Sequence, residues 1–333
     1  MDPVVKHMNL QKSWALVAAL LFCVNGHAGQ TNAPAIAEVF APGVISGPAN
    51  EDCATFSPDG DTVFFDRGGS GIVILVSHKR NGKWSTPQIA PFSGRWGDHD
   101  PAMAPDGTFL IFTSNRPATE GGDARSGMRD GKSTSLVGGN LWRVDRKGSE
   151  WSAAVRLPDA VNRGTRIYSP SVVRDGSVYF QNADESTGEF HLWRSQYRAG
   201  AYLAPTRVTL GEGGTHELDP AVAPDESFIV FNSNLAAKGS PDRLFIVFRE
   251  ADHWSQPIDL SDLVGSKNNP WGAHLGTDGR SLYFTSDRRS KASWPRTPRQ
   301  MQDDLVRWQS WDNGADNIWY VSLASVLDAH HAQ

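Results

Sequence analysis

Imidazole and carboxylate side chains crowd together in two short segments, Trp96-Gly97-Asp98-His99-Asp100-Pro101 and His216-Glu217-Leu218-Asp219-Pro220. A third segment, Trp271-Gly272-Ala273-His274, sets an indole beside another imidazole. Groups of this kind can act as general acid and base or ligate a metal ion. Tryptophan beside them offers a flat face to a sugar ring or an apolar side chain. No segment has the spacing of a specific metal motif, so no metal and no cofactor is expected. The candidate binding residues are Asp98, His99, Asp100, His216, Glu217, Asp219, Trp271 and His274, with catalytic roles unassigned. In a hydrolase, one carboxylate of such a set would stay protonated as the acid and a second would be ionised as base or nucleophile.

Several of these acids recur along the chain. Glu51, Asp98 and Glu217 fall at one position of a repeated pattern, and Asp100 and Asp219 at another. A residue repeated from unit to unit is expected to serve the unit, by capping backbone N–H groups or pairing with a neighbour. The departures from the pattern, His99, His216, His274, Trp96 and Trp271, carry more functional information. Cys53 opens a strand without a patterned histidine, so it reads as a small buried apolar group and not as a catalytic thiol.

The repeat that positions these residues occurs five times. Its copies are ATFSPDGDTVFFDR from Ala54, PAMAPDGTFLIFTSNR from Pro101, PSVVRDGSVYFQNAD from Pro170, PAVAPDESFIVFNSN from Pro220 and AHLGTDGRSLYFTSDR from Ala273. Each joins a short apolar strand to a second strand rich in β-branched and aromatic residues. The turn between them is built on Asp59, Asp106, Asp175, Asp225 or Asp278. Asp-Gly between alternating strands is a hairpin signal, because glycine takes positive φ without steric cost. Glu226 replaces that glycine in the fourth copy and is expected to strain or change the turn.

A third strand follows each hairpin, beginning at Ile72, Asn140, Phe190, Arg243 and Asn317. A weaker fourth element starts near Trp84, Trp151, Tyr202 and Trp254, and its prolines suit an edge strand, where a missing N–H costs little. Four antiparallel strands repeated about an axis make a propeller blade. The fifth copy ends without its fourth strand, while the segment from Ala37 to Ser46 is a spare outer strand at the other end of the chain. The expected fold is all-β: a single five-bladed β-propeller of four-stranded blades. Pairing of the N-terminal strand with the strand at Asn317–Leu323 closes it and removes an open edge.

The Ser-Pro-Asp-Gly and Ala-Pro-Asp-Gly turns, the Phe-Thr-Ser-Asn-Arg and Phe-Thr-Ser-Asp-Arg strand ends, and the later Asn-Leu-Trp and Asn-Ile-Trp strands resemble the TolB-type, WD-repeat-like β-propeller repeat. The resemblance spans nearly all of the chain after its leader. It implies the propeller and, more loosely, assembly with envelope proteins. Such propellers also occur attached to hydrolase domains of the prolyl oligopeptidase class, but no G-x-S-x-G elbow occurs here, so that chemistry is not expected.

Two connections between second and third strands are long, from Pro117 to Gly139 and from Arg289 to Ala315. Loops of that length in a compact repeat are functional or disordered in most cases. The second carries Trp294, Trp308 and Trp311 among arginines and aspartates, and its stretch QMQDDLVRWQSW can form a short helix. Trp308 and Trp311 join the candidate binding residues as a stacking surface or a cover for a blade edge.

Lys6 and Lys12, the apolar run from Trp14 to Val24, and small residues at Gly26 and Ala28 follow the order of a secretory signal peptide cleaved after Ala28. The expected organisation is a signal peptide over 1–28, a linker over 29–36, the propeller over 37–326 and a tail over 327–333. The expected location is the periplasm or the medium, with no membrane span after cleavage. Of the two cysteines, Cys23 lies in the leader, so stability must come from packing and not from an internal disulfide. A net charge of −5 among 333 residues gives no electrostatic reason to expect nucleic acid. The expected function is a binding module for an envelope protein or a glycan. The alternative is a carbohydrate-active hydrolase or lyase with acids at the channel mouth.

Overall fold

The computed structural model of the protein describes residues 36–129, 131–135, 138–184, 186–211, 216–235, 241–265 and 269–332. The expected signal peptide and its cleavage site lie outside them. In each Asp-centred turn the aspartate Oδ1 accepts the backbone N–H two residues on, at 3.0, 3.0, 2.8, 3.1 and 2.9 Å for Asp59, Asp106, Asp175, Asp225 and Asp278. The residue after each aspartate takes positive φ. In the fourth copy Glu226 does so at φ 59°. The turn is therefore kept, and a charged side chain carries the cost.

These hairpins build five antiparallel sheets, the blades. Blade 1 runs through Asn50–Phe56, Thr62–Gly68, Ile72–Arg80 and Gln88–Ile89. Blade 2 uses Asp98–Met103, Phe109–Ser114, Asn140–Lys147 and Val155–Arg156. Blade 3 uses Ile167–Val172, Val178–Ala183, Phe190–Ser195 and Thr206–Val208. Blade 4 uses Glu217–Val222, Phe228–Ser233, Arg243–Glu250 and Ile258–Asp259. Blade 5 has Trp271–Leu275, Ser281–Ser286 and Asn317–Ser322, and its outer strand is Glu38–Val39 from the start of the chain. Glu38 pairs with Tyr320 and Val39 with Trp319, which closes the ring as the sequence predicts. Inner strands touch in cyclic order, blade 5 against blade 1 included.

The core is divided into five apolar wedges, one between each pair of neighbouring blades. Trp84, Trp151, Tyr202 and Trp254, which open the outer elements of blades 1 to 4, each pack into the wedge shared with the preceding blade. Blade 5 has no such aromatic residue. There the C-terminal helix (Ala324–His331) follows the third strand, buries Leu327 in the wedge against blade 4, and stacks His330 on Phe248 at 3.7 Å between ring centroids. Leu327, expected in a tail, thus belongs to the core, because the last wedge needs an apolar plug. No helix among the described residues is long and apolar enough to cross a membrane.

Candidate functional site: the axial channel

Every inner strand has a register shift at the same place: between Asp52 and Thr55, His99 and Ala102, Tyr168 and Ser171, Leu218 and Ala221, and Trp271 and His274. One residue within each bulge adopts left-handed backbone: Cys53, Asp100, Ser169, Asp219 and Gly272, with φ of 54°, 51°, 50°, 49° and 59°. This conformation is costly for a residue with a Cβ unless its surroundings hold it. Here they do. Asp100 Oδ2 accepts from Ser169 N at 2.9 Å and Thr113 Oγ1 at 3.1 Å, and Asp100 N donates to Asp66 Oδ2 at 3.1 Å. Asp219 accepts from Ser169 Oγ at 2.7 Å and Gly272 N at 2.9 Å, and its own N–H donates to Gln181 Oε1 at 2.8 Å. Cys53 Sγ donates to Asp100 Oδ1 at 3.5 Å. A Cβ on Gly272 would stand 3.2 Å from that sulfur and 3.1 Å from Thr285 Oγ1, so close approach requires glycine there. The bulge residues thus form a buried polar ring that ties all five blades at the axis.

Its electrostatics follow from burial. Removal from water pushes the Asp219 carboxyl up to about 6 and those of Asp66 and Asp52 well above the ordinary range, with nearby carboxylates adding to the effect. Burial also acts on Asp100, but His99, with Nδ1 3.1 Å from Oδ2, and the hydrogen bonds to Ser169 and Thr113 outweigh it and hold this carboxyl low. His99 answers in kind: burial opposes its charge, Asp100 overrides that, and its pKa rises. Burial lowers His274 to about 4, and the charge of Asp100 opposes this only in part.

On the strand-entry side of the ring, the residues just before each bulge are Asp52, His99, Tyr168, Leu218 and Trp271. Asp52 is buried and the other four are half-buried. One arc of this mouth is aromatic. The rings of His99 and Tyr168 lie 5.7 Å apart, Tyr168 and Phe190 lie 5.8 Å apart, and the Arg166 guanidinium sits 4.7 Å from the Phe190 centroid. The opposite arc is acidic: the charge of Asp316 adds to burial in raising Asp52, and the Asp316 carboxyl is itself raised by burial and by Asp287, while the Trp271 side chain hydrogen-bonds to it.

The residues expected to form one pocket therefore separate. His99 and Trp271 reach the mouth. Asp100 and Asp219 lie in the buried ring. Asp98 is buried too, with its oxygens taken by Ser93 Oγ at 2.9 Å, Ser114 Oγ at 2.6 Å and Arg116 at 3.0 Å. Glu217 pairs with His191 of blade 3 at 3.1 Å, and Glu51 accepts from Arg67 at 2.8 Å. The repeated acids thus tie strands together. His216 binds Asp242 at 2.7 Å. His274 stands beyond the bulge, because an inner strand runs the length of the channel. It lines a cavity of about 440 Å³ at the turn side with Thr55, Ala102, Ser171 and Ala221. Trp311 meets Trp319 edge-on at 5.7 Å and covers the wedge between blades 4 and 5. Trp308 stays exposed beside a loop helix (Pro298–Arg307), which the sequence predicts and which Thr297 and Gln300 start with reciprocal caps. Trp96 lines a groove together with His99, between residues of blades 1 and 2, and a second groove beside blade 2. Asp52, Tyr168 and Asp316 were missed from the sequence. For the first two, a signal was present: they sit where the five aligned inner strands disagree.

Among the described residues, Cys53, Asp66 and Asp100 form the grouping whose ligand atoms lie close enough to share a metal ion.

No family model matches this chain, and no curated protein matches it. Solved structures similar to it include TolB from Agrobacterium tumefaciens, at 17% identity and a TM-score of 0.46, over 72% of this chain and 70% of that one. TolB from Acinetobacter baumannii gives 12% identity and a TM-score of 0.42, over 82% of this chain and 54% of that one, so the chain spans about half its length. The gluconolactonase XC5397 from Xanthomonas campestris gives 13% identity and a TM-score of 0.42, over 77% and 82%.

Proposed function

We propose that this is an exported, non-catalytic binding propeller whose site is the channel mouth around Asp52, His99, Tyr168, Leu218 and Trp271. One observation carries the reading. The acids at the bulge and at the strand entry recur and are taken up by hydrogen bonds within the scaffold, whereas the mouth position holds five different side chains. A position that serves the blade repeats with the blade, and a recognition position is free of that constraint. The mouth pairs an aromatic arc with an acidic one. That suits a polar ligand with a flat apolar face, and a glycan unit has that chemistry: hydroxyls for Asp52 and Asp316, a ring face for Trp271 or Tyr168.

Export rests on the charge, apolar-run and small-residue order of the first 28 residues. A mature N-terminus near Gly29 is expected, and an intact Met1 or Met8 start by mass spectrometry of the secreted fraction would overturn it.

The hydrolase reading has one observation in its favour. At this same mouth, burial and Asp316 favour the protonated form of Asp52 beside a His99–Asp100 pair that favours charge, which is how an acid and an ionised partner are set apart. Screening the mature protein against a glycan panel separates the two readings. Binding without turnover, weakened about tenfold or more in Trp271→Ala and Tyr168→Ala at unchanged thermal midpoint, supports the module. Turnover abolished by Asp52→Asn supports the enzyme. Binding untouched by all three substitutions places the site elsewhere, and capture of an envelope protein in place of glycan assigns the other partner class.

A further inference from the structure

We propose that Cys53, Asp66 and Asp100 form a binding site for one borderline-soft divalent cation, zinc in the first instance, on the propeller axis. The three residues come from blades 1 and 2, and one ligand atom from each lies within 4.8 Å of the others. All three side chains are buried: Cys53 and Asp66 are each 2% exposed and Asp100 6%.

The hydrogen bonds leave the right atoms over. Among the described residues, Asp100 uses Oδ2 for Ser169 N, Thr113 and His99, and its Oδ1 meets only the Cys53 sulfur. Asp66 uses Oδ2 for Asp100 N, and its buried Oδ1 has no partner among the described residues. A buried carboxyl oxygen without a partner is costly, and native interiors rarely tolerate one without an ion or water. Two more orphans belong to the same neighbourhood: Asp52 Oδ1, on a carboxyl that feels the charge of Asp100, and Thr285 Oγ1, next to the point where a Gly272 Cβ would touch the Cys53 sulfur.

The spacing also fits. With a zinc–sulfur distance of about 2.3 Å and a zinc–oxygen distance of about 2.1 Å, tetrahedral geometry puts sulfur and oxygen roughly 3.6 Å apart. The Sγ to Oδ1 distance is 3.5 Å. A thiol in the set argues against calcium and magnesium, which take oxygen alone. Three protein ligands leave a fourth position open. Thr55, Ala102 and His274, two residues past the bulge on the strands that carry Cys53, Asp100 and Gly272, line the turn-side cavity.

The test uses the mature full-length protein, stripped with chelator and passed through gel filtration with zinc, then with cobalt as a spectroscopic stand-in. About one zinc per chain by elemental analysis, a raised thermal midpoint, and a thiolate-to-cobalt charge-transfer band are expected. Cys53→Ser should remove that band, and Asp66→Asn should weaken zinc binding by at least about tenfold. The cobalt band reads sulfur ligation in the wild type, so the outcome does not depend on either variant folding. Absence of the band together with no stoichiometric zinc overturns the proposal. So does zinc held equally well by both variants.

Discussion

Glu226 shows how one side chain can carry a backbone cost. It sits in left-handed conformation where the other four turns have glycine, and its carboxylate is held by Arg194 at 2.7 and 3.2 Å and by the Tyr179 hydroxyl. Glu226→Ala keeps the strain and loses these partners, whereas Glu226→Gly loses the partners and relieves about 1 kcal/mol of strain. Urea denaturation should therefore find the alanine variant less stable than the glycine variant by about 1 kcal/mol, and equal stabilities would deny the trade. Asp219 makes a second prediction. Its folded pKa, about 6, lies above the ordinary 3.8, so its contribution is full below that ordinary value and is lost as pH rises through about 6. Between pH 4 and 7 the wild type should lose up to ~3 kcal/mol relative to Asp219→Asn, since each tenfold change in proton affinity on folding is worth about 1.4 kcal/mol. A constant difference between the two proteins across that range would remove Asp219 from the pH response.

At the level of elements, the short N-terminal strand matters far beyond its two ladder residues. Phe40, just past it, packs against Phe56, Trp84, Tyr283 and Tyr320 at 5.2 to 6.3 Å, and Ile45 is fully buried in the same wedge. Phe40→Ala is expected to cost about 3–5 kcal/mol, typical for a large aromatic removed from a core. Deleting the chain up to Gly47 should cost at least as much and expose the third strand of blade 5 as an edge. An unchanged thermal midpoint in the truncated protein would refute closure by this strand. The C-terminal helix does for the wedge between blades 4 and 5 what Trp84, Trp151, Tyr202 and Trp254 do for the others. Leu327→Ala should accordingly destabilise by about 2–5 kcal/mol, as a core truncation does and a tail substitution does not.

For the whole molecule, the consequence of a closed ring is mutual dependence. Each wedge belongs to two blades, and the hydrogen bonds from Asp100 to Ser169 to Asp219 to Gly272 run from blade to blade around the axis. No blade can leave without exposing two wedges. The intact protein should melt in one transition, with tryptophan fluorescence and far-UV circular dichroism coincident. The truncation lacking the N-terminal strand should separate those curves, because an opened array unfolds from its ends. Separate transitions in the intact protein would show that the blades act as independent units.

The sequence alone determined the blade. Asp-Gly turns, strand alternation and the spare outer strand are local or periodic signals, and each is written in consecutive residues. It also showed that Asp98, Glu217, Asp100 and Asp219 recur, from which their scaffold role follows, and it showed where the copies disagree. What it did not show is the axis. The bulge puts Cys53 and Asp66 of blade 1 against Asp100 of blade 2, and Gly272 of blade 5 against Cys53. It also sends His274 to the opposite side of the ring from Trp271. Those neighbours are far apart in the chain, and a one-residue bulge resets which way every later side chain points, so only ring closure decides what meets there.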